Sequence, residues 1–374
     1  VQGRGEVITK DSVFGENPLL AIFRFLDLAL IFTVLLTLFA ILFAYDAING
    51  EKEKGTLRLI FSHAVPKGTF ILAKITGAVF TFLIPLLVPI MLGIVIFSAT
   101  GITLTGDEWL RLGFILLMGF VLLAAFITMS VMVSSLTEKS NISFLVLLGL
   151  WTVLVLILPG TSGPIADMFV KVPNIDEINS QRSRLMSQLF YEDWQKMSDF
   201  KPSNVKDMQL VMKEFNNFMN ELSQNRDKKV SELSDRLHEE RKNRQDIRNA
   251  IAFTLARLSP AALFSLAAAD IANSSENLKS SFVEQGKEYQ NVYSAFMKEK
   301  TGILTGGFAF VIRTTDDGTK PEPINPREIP EFKYRDISAG EAVYSGLQDS
   351  VLLLLFAGVF LAAGYRSFLK FDVR

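Results

Sequence analysis

Residues 46–67 read DAINGEKEKGTLRLIFSHAVPK. A charged run leads into a short stretch in which Leu57, Ile60, Phe61 and Ala64 recur at i, i+3, i+4 and i+7, the spacing of one apolar helix face. On either side lie the oily runs Phe25–Tyr45 and Ile75–Phe97, each about long enough for a helix to cross roughly 30 Å of hydrocarbon. The segment is therefore expected to be a loop at a membrane surface carrying a two-turn amphipathic helix. Thr56 suits its start and Pro66 its end, after a charged turn at Asn49-Gly50. Glu51 and Glu53 lie where the positive helix end favours acids, and Lys67 where the negative end favours a base.

The rest of the chain repeats the membrane signal. It has 374 residues, 49% of them hydrophobic, with 31 phenylalanines. Three further runs approach spanning length: Leu112–Val133, Ile142–Leu158, stopped by Pro159, and Ala342–Tyr365, strongly apolar only from Val351. Asp27 interrupts the first run, Pro85 and Pro89 could hinge the second, and Gln348 and Asp349 lie in the last. Asp27 and Asp349 are expected near outer ends, solvated at the interface. Thr33, Thr37, Thr81, Thr128 and Thr152 read as helix-packing residues.

Lysine and arginine set the orientation. Lys52, Lys54, Arg58, Lys67 and Lys74 follow the first run, Lys139 follows the third, and Arg366, Lys370 and Arg374 follow the last. Residues 98–111 carry Asp107 and Glu108. The expected organisation is an extracytoplasmic N-terminal segment (1–24), spans over 25–160 with a cytoplasmic loop at 46–74, an extracytoplasmic insertion (161–341), and a last span with a cytoplasmic tail (342–374). Val1 in place of Met, without a signal peptide, points to a missing N-terminal piece with a first helix.

The insertion reads as mainly helical. Residues 178–200 form one helix, broken at Lys201-Pro202-Ser203. A second begins near Asn204, with a stripe at Met208, Met212, Phe215, Met219 and Leu222 and a charged middle laced by pairs such as Glu232–Arg236 and Glu240–Arg244. LSPAALFSLAAADIA (258–272) is apolar but too short to span, and Ser259-Pro260 suits its start. Residues 303–313 read as a strand or hairpin, followed by a Pro-rich connector.

Several chemistries are excluded. The chain has no cysteine, so disulfides, Cys-based zinc sites and thiol catalysis are out, and His63 and His238 are its only histidines. A net charge of −1 argues against nucleic acid as a partner. No phosphate loop of the form G-x-x-x-x-G-K-[ST] occurs. Gly160-Thr161-Ser162-Gly163 looks like the G-x-S-G of rhomboid-type proteases, but no histidine is expected within reach, and a small-residue turn is the plainer reading.

Read alone, the loop helix fits a simple connector as well as a docking element. The residues around it resemble the first cytoplasmic loop of ABC-2-type exporter permeases: an acid (Asp46), E-x-x-x-G-T-L (Glu51, Gly55, Thr56, Leu57), a helix ending in Pro66, a base (Lys67), and Lys74 opening the next span. FLKFDVR and RLSPAALF are similar to a branch with a large external insertion. The resemblance implies an all-α polytopic membrane protein, an ABC-2 (type V exporter-like) bundle, in the cell (inner, cytoplasmic) membrane. It also implies six helices per subunit, one more than the runs found here. The loop would be the coupling helix, with Glu51, Glu53, Gly55, Thr56, Leu57, Arg58, Ile60, Phe61, Pro66 and Lys67 facing a separate ABC ATPase subunit. Partners would be that ATPase, a second permease subunit, membrane lipid and an extracytoplasmic protein. This chain would bind no cofactor, and ATP and Mg would sit on the ATPase. Three functions fit: an exporter permease, a mechanotransmitter that drives an external partner without moving cargo, and a receptor, the last weakened by the small cytoplasmic portion.

Overall fold

The computed structural model describes residues 28–63, 65–101, 103–202, 208–301, 325 and 328–370. Ala64, Asp27, the segment 1–24, Ser203, Asn204, the 303–313 strand and the tail beyond Lys370 lie outside them. Among the described residues all regular structure is helical: α1 (Leu28–Glu53), α2 (Thr56–Ser62), α3 (Lys67–Ala99), α4 (Gly106–Leu136), α5 (Ser140–Phe169), α6 (Ile175–Ser198), α7 (Met208–Ala256), α8 (Pro260–Ile271), α9 (Glu276–Thr301), α10 (Ala339–Ser345) and α11 (Leu347–Lys370). Five of them, α1, α3, α4, α5 and α11, are long and apolar enough to cross a membrane. The chain divides into two compact units. Of the described residues, one takes in those of 28–165, 251–281 and 335–370, and the other those of 166–250 and 282–334. The first unit thus includes 251–281 and 335–341, residues that the sequence assigned to the insertion.

In the first unit α4 is the central rod. Its second half, AAFITMSVMVSS, is rich in small residues and is buried almost throughout. Helices in lipid gain nothing from hiding apolar surface that lipid would solvate equally well, so close backbone approach and polar contacts decide which faces meet. Gly119 abuts the ring of Phe32 on α1, and Met132 packs against Gly364 of α11. The α4–α11 contact is the most extensive between any two helices. α3 is the opposite case. Large apolar residues such as Phe80, Ile84, Val88 and Leu92 stand exposed along it, as suits a lipid-facing helix. α3 runs without a break through Pro85 and Pro89.

The fourth span corrects the sequence reading. Pro159 does not stop it: α5 continues to Phe169 and takes the GTSG stretch into the helix. The reason lies one turn earlier, where Thr152–Ile157 widens into a π-helical stretch and the Leu158 N–H bonds to the Val153 carbonyl, five residues back. That register hands the Leu154 carbonyl to residue 159, a proline with no N–H to give. The hydroxyl of Ser259 supplies the missing donor. The same hydroxyl oxygen accepts the Ala262 N–H at 3.2 Å and caps α8, with Pro260 in the first turn as the sequence indicated. Ser162 donates to the Pro159 carbonyl at 2.8 Å, an ordinary intrahelical bond rather than a nucleophile's contact. A second π-helical stretch, Ile31–Leu36, lies in α1, and just past it Thr37 Oγ1 accepts from Trp151 Nε1 at 2.9 Å.

The return to the last span is pinned to α4 and α8. Arg111 donates to the Ile337 carbonyl, Asp107 accepts the Ala339 N–H at 3.3 Å, and Asn273 donates to Asp336 at 2.6 Å. A capping box between Ser338 and Glu341 starts α10. The Ser338 N–H bonded to Glu341 holds that carboxyl below the usual range. The fifth run is split: α10 ends at Ser345 and α11 starts at Leu347. The joint is Gly346, where a Cβ would sit 2.9 Å from Ile271 Cγ1 and 3.1 Å from the Ala267 carbonyl.

In the second unit, α6 meets α7 through an ion pair between Asp193 and Arg226 at 2.8 Å, with the guanidinium 4.2 Å over the Phe190 ring. Phe200 closes the helix end against Phe215 and Phe218. The Glu240–Arg244 pair forms at 2.8 Å. On α9, Phe282 and Tyr289 hold Phe332 of the return segment, and Tyr289 donates to the Pro330 carbonyl at 2.8 Å.

Ser259→Ala removes a helix cap and orphans the Leu154 carbonyl. It is expected to cost about 1–3 kcal/mol, read as a lower melting temperature in detergent, whereas Ser162→Ala should leave melting unchanged.

Candidate functional site

The 46–67 stretch folds into two short helical pieces at one end of the first unit. α1 breaks after Ala44 and resumes at Asn49, so Asn49–Glu53 is a helical turn where the sequence suggested a charged loop turn. The restart leaves backbone N–H groups without intrahelical partners. Ser134 of α4 accepts them, from Ile48 at 3.0 Å and Asn49 at 3.2 Å, and donates in turn to Asn49 Oδ1 at 2.9 Å. Asn49 Nδ2 reaches Thr137 at 3.0 Å, and Ser143 of α5 donates to the Tyr45 carbonyl at 2.8 Å.

The charges that follow grip three helices. Lys52 Nζ donates to the Ser135 carbonyl at 2.8 Å and the Thr137 carbonyl at 3.1 Å, at the C-terminal end of α4. Glu53 accepts from the Ser140 N–H at 2.7 Å and its hydroxyl at 3.2 Å, at the N-terminal end of α5. Each charge sits at the helix end whose dipole favours it. Glu51 pairs with Lys74 of α3. The two glutamates therefore serve other helices rather than the start of α2, and Lys74, known from the sequence only as the opening of a span, is a partner in this clamp.

α2 differs from its expected form at both ends. Its N-cap is Gly55, with φ +73°, and Thr56 instead donates to the Glu51 carbonyl at 3.2 Å. A left-handed residue is what lets the chain turn from Asn49–Glu53 into α2, and only glycine does this without steric cost. The helix stops at Ser62, where the Ser62 hydroxyl turns back to the Leu59 carbonyl at 2.7 Å. Pro66 caps α3 rather than ending α2, and Lys67 is the first residue of α3. Both termini fall where local backbone bonds compete with helix propagation.

The apolar stripe of α2 points into the bundle. Leu57 is 3% exposed, and Ile60 and Phe61 pack against the core. Phe61 lies 5.3 Å from Phe70 and 6.1 Å from Phe368, whose rings stack on each other at 5.4 Å. The outward face carries Thr56, Arg58, Leu59, Ser62 and His63, all exposed. Leu59, 63% exposed, is the residue the sequence reading missed. It falls off the i, i+3, i+4 stripe, and an apolar residue out of phase with its own helix face was the available signal.

The arrangement presents a short helix, anchored on one face and exposed on the other, at the end of a membrane bundle. The chain matches the family described as ABC-2 family transporter protein over residues 5–373. It belongs to that family. This ABC-2 protein is thus an all-α, multi-pass permease, the membrane subunit of an ABC transporter, and such subunits work with an ABC ATPase. No curated protein and no solved structure matches the chain.

Ser134→Ala leaves the Ile48 and Asn49 N–H groups and the Asn49 side chain short of partners, a loss of about 1–3 kcal/mol. The expected outcome is faster proteolysis within 49–63 in detergent. Ser62→Ala, which touches only exposed contacts to the Leu59 carbonyl and the His63 ring, should not show it.

Proposed function

We propose that this permease is an exporter subunit in which α2 is the coupling helix, docked on a separate ATPase subunit at the cytoplasmic face. The observation that carries the reading is the split of α2 into two faces. Leu57, Ile60 and Phe61 anchor it in the bundle, while Arg58, Leu59 and His63 are left for a partner. A partner that covers Leu59 would take its apolar surface out of water, with the polar residues around it forming the rim. The lysine and arginine distribution supports a cytoplasmic position. Of the residues the family resemblance pointed to, Glu51, Glu53 and Gly55 hold the helix in place, and Arg58 has its side chain on the docking face. ATP binding and hydrolysis would take place on the partner, and this chain would convert ATPase closure into helix motion.

The mutational test separates anchor from docking face. Leu59→Asp is expected to weaken retention of the ATPase subunit about ten- to hundredfold with melting unchanged. Leu57→Asp puts a carboxylate in the core and should lower the melting temperature itself. Full ATPase retention and full ATP-driven activity in Leu59→Asp vesicles would overturn the docking assignment.

A second reading is favoured by the 49-residue helix α7. In it, the same cycle moves the extracytoplasmic helices and drives a partner there without passing cargo. Deletion of residues 205–250 distinguishes the two: cargo flux persists in an exporter and all activity is lost in a mechanotransmitter.

A further inference from the structure

The first unit contains an ion pair, its carboxylate buried and its guanidinium half-buried, that the docking reading does not use. Asp349, near the start of α11, is 2% exposed. Arg257, immediately after α7 ends at Ala256, donates to it from Nε at 2.6 Å and from Nη2 at 3.3 Å, a two-pronged contact. Asp270 of α8 adds a weaker attraction on the same guanidinium. The sequence reading of Asp349 as a solvated interfacial acid is therefore wrong: the fold supplies a cation, and burial follows from that pairing. A carboxylate this deep in a bundle is costly, and its partner fixes geometry as well as charge.

The other end of α11 is fastened to the coupling helix. Phe368, fully buried, stacks on Phe70 and meets Phe61 of α2. Ser367 accepts from Ser135 at 3.0 Å, and Tyr365 crowds Gly68 in the first turn of α3. Asp349, Leu353, Gly364 and Phe368 are all buried and share one face of α11. At 1.5 Å per residue, Asp349 and Phe368 are about 28 Å apart along the axis, close to the hydrocarbon thickness of about 30 Å. One continuous helix thus has an aromatic joint at the α2 end and an ionic joint at the far end, and Gly346 seats the start of α11 tightly on α8.

We infer that α11 is the element that carries displacement of the coupling helix across the membrane, with Arg257 and Asp349 as the positioning pair that delivers it to the root of α7. A packed helix clamped at both ends moves as a body. A two-pronged Arg–carboxylate contact resists the sliding and rotation that a purely apolar contact between helix and helix permits. Neither residue takes part in docking the ATPase or binding nucleotide. The inference rests on the coupling role proposed for α2.

The chain has no cysteine, so one introduced cysteine can be labelled on the permease before the ATPase subunit is added. The experiment uses the permease with its ATPase subunit in vesicles and an environment-sensitive fluorophore at one of two exposed positions. Leu369→Cys reports the inner end of α11, and Leu258→Cys reports the residue beside Arg257. Emission is compared with and without ATP trapping. In the parent protein both sites are expected to respond. In Asp349→Asn the guanidinium can still reach water. The Leu258 response should be at least halved there, while the Leu369 response, ATP hydrolysis and melting stay near the parent's. Arg257→Lys keeps the charge but loses the two-pronged geometry, so its Leu258 response should be intermediate. It carries the test if Asp349→Asn fails to accumulate. An undiminished Leu258 response in the accumulating variant overturns the inference, as does an equal loss at both sites. If the parent shows no response at Leu369, the coupling role of α2 fails and the inference fails with it.

Discussion

Within hydrocarbon every backbone polar group must find a partner inside the protein, because neither water nor lipid supplies one. Much of this fold is an answer to that demand at the places where helices are irregular. The break at residues 45–48 leaves N–H groups that Ser134 takes up. The π-helical stretch before Pro159 leaves the Leu154 carbonyl, which Ser259 satisfies. Each repair ties a span to a residue far along the chain, so the irregularities are also the fixed points of the bundle.

The same economy shapes the α2 end of the bundle. Glu51, Lys52 and Glu53 are adjacent in sequence, yet they bond to α3, α4 and α5 respectively. One of these is a part-exposed ion pair and the others are hydrogen bonds to helix ends, contacts that contribute about 1 kcal/mol or less each, so their value lies in direction more than in strength. Three helices share one short turn, and α2 hangs from that turn through Gly55. A load on α2 would reach the bundle through these bonds and through its buried stripe of Leu57, Ile60 and Phe61, the last set against Phe70 and Phe368.

Sequence patterns recovered the spans, the place of α2 and its buried stripe, the capping of α8, and the family. They failed at element ends. Pro66 and Pro159 read as terminators because proline cannot donate an N–H, yet Pro66 begins a helix and Pro159 sits inside one whose lost bond is supplied by Ser259. Asp349 read as interfacial because an isolated acid is costly in a bundle, and nothing local to it announces Arg257, 92 residues away. Leu59 went unremarked because a stripe of spacing marks the anchored face and says nothing about the other one.

Hydropathy and spacing by themselves determined that this chain crosses a membrane several times and carries an amphipathic helix between its first two described spans. Both follow from local quantities, apolar length and a 3.6-residue period. Which span lies at the centre was decided only in three dimensions. α3 and α4 have nearly the same hydropathy, 2.7 and 2.6, but lipid solvates large apolar side chains as readily as protein does. Small residues and hydroxyls on α4, meeting complementary groups on α1 and α11, put it in the core. Which face of α2 is free was settled the same way, by where Phe70 and Phe368 came to rest.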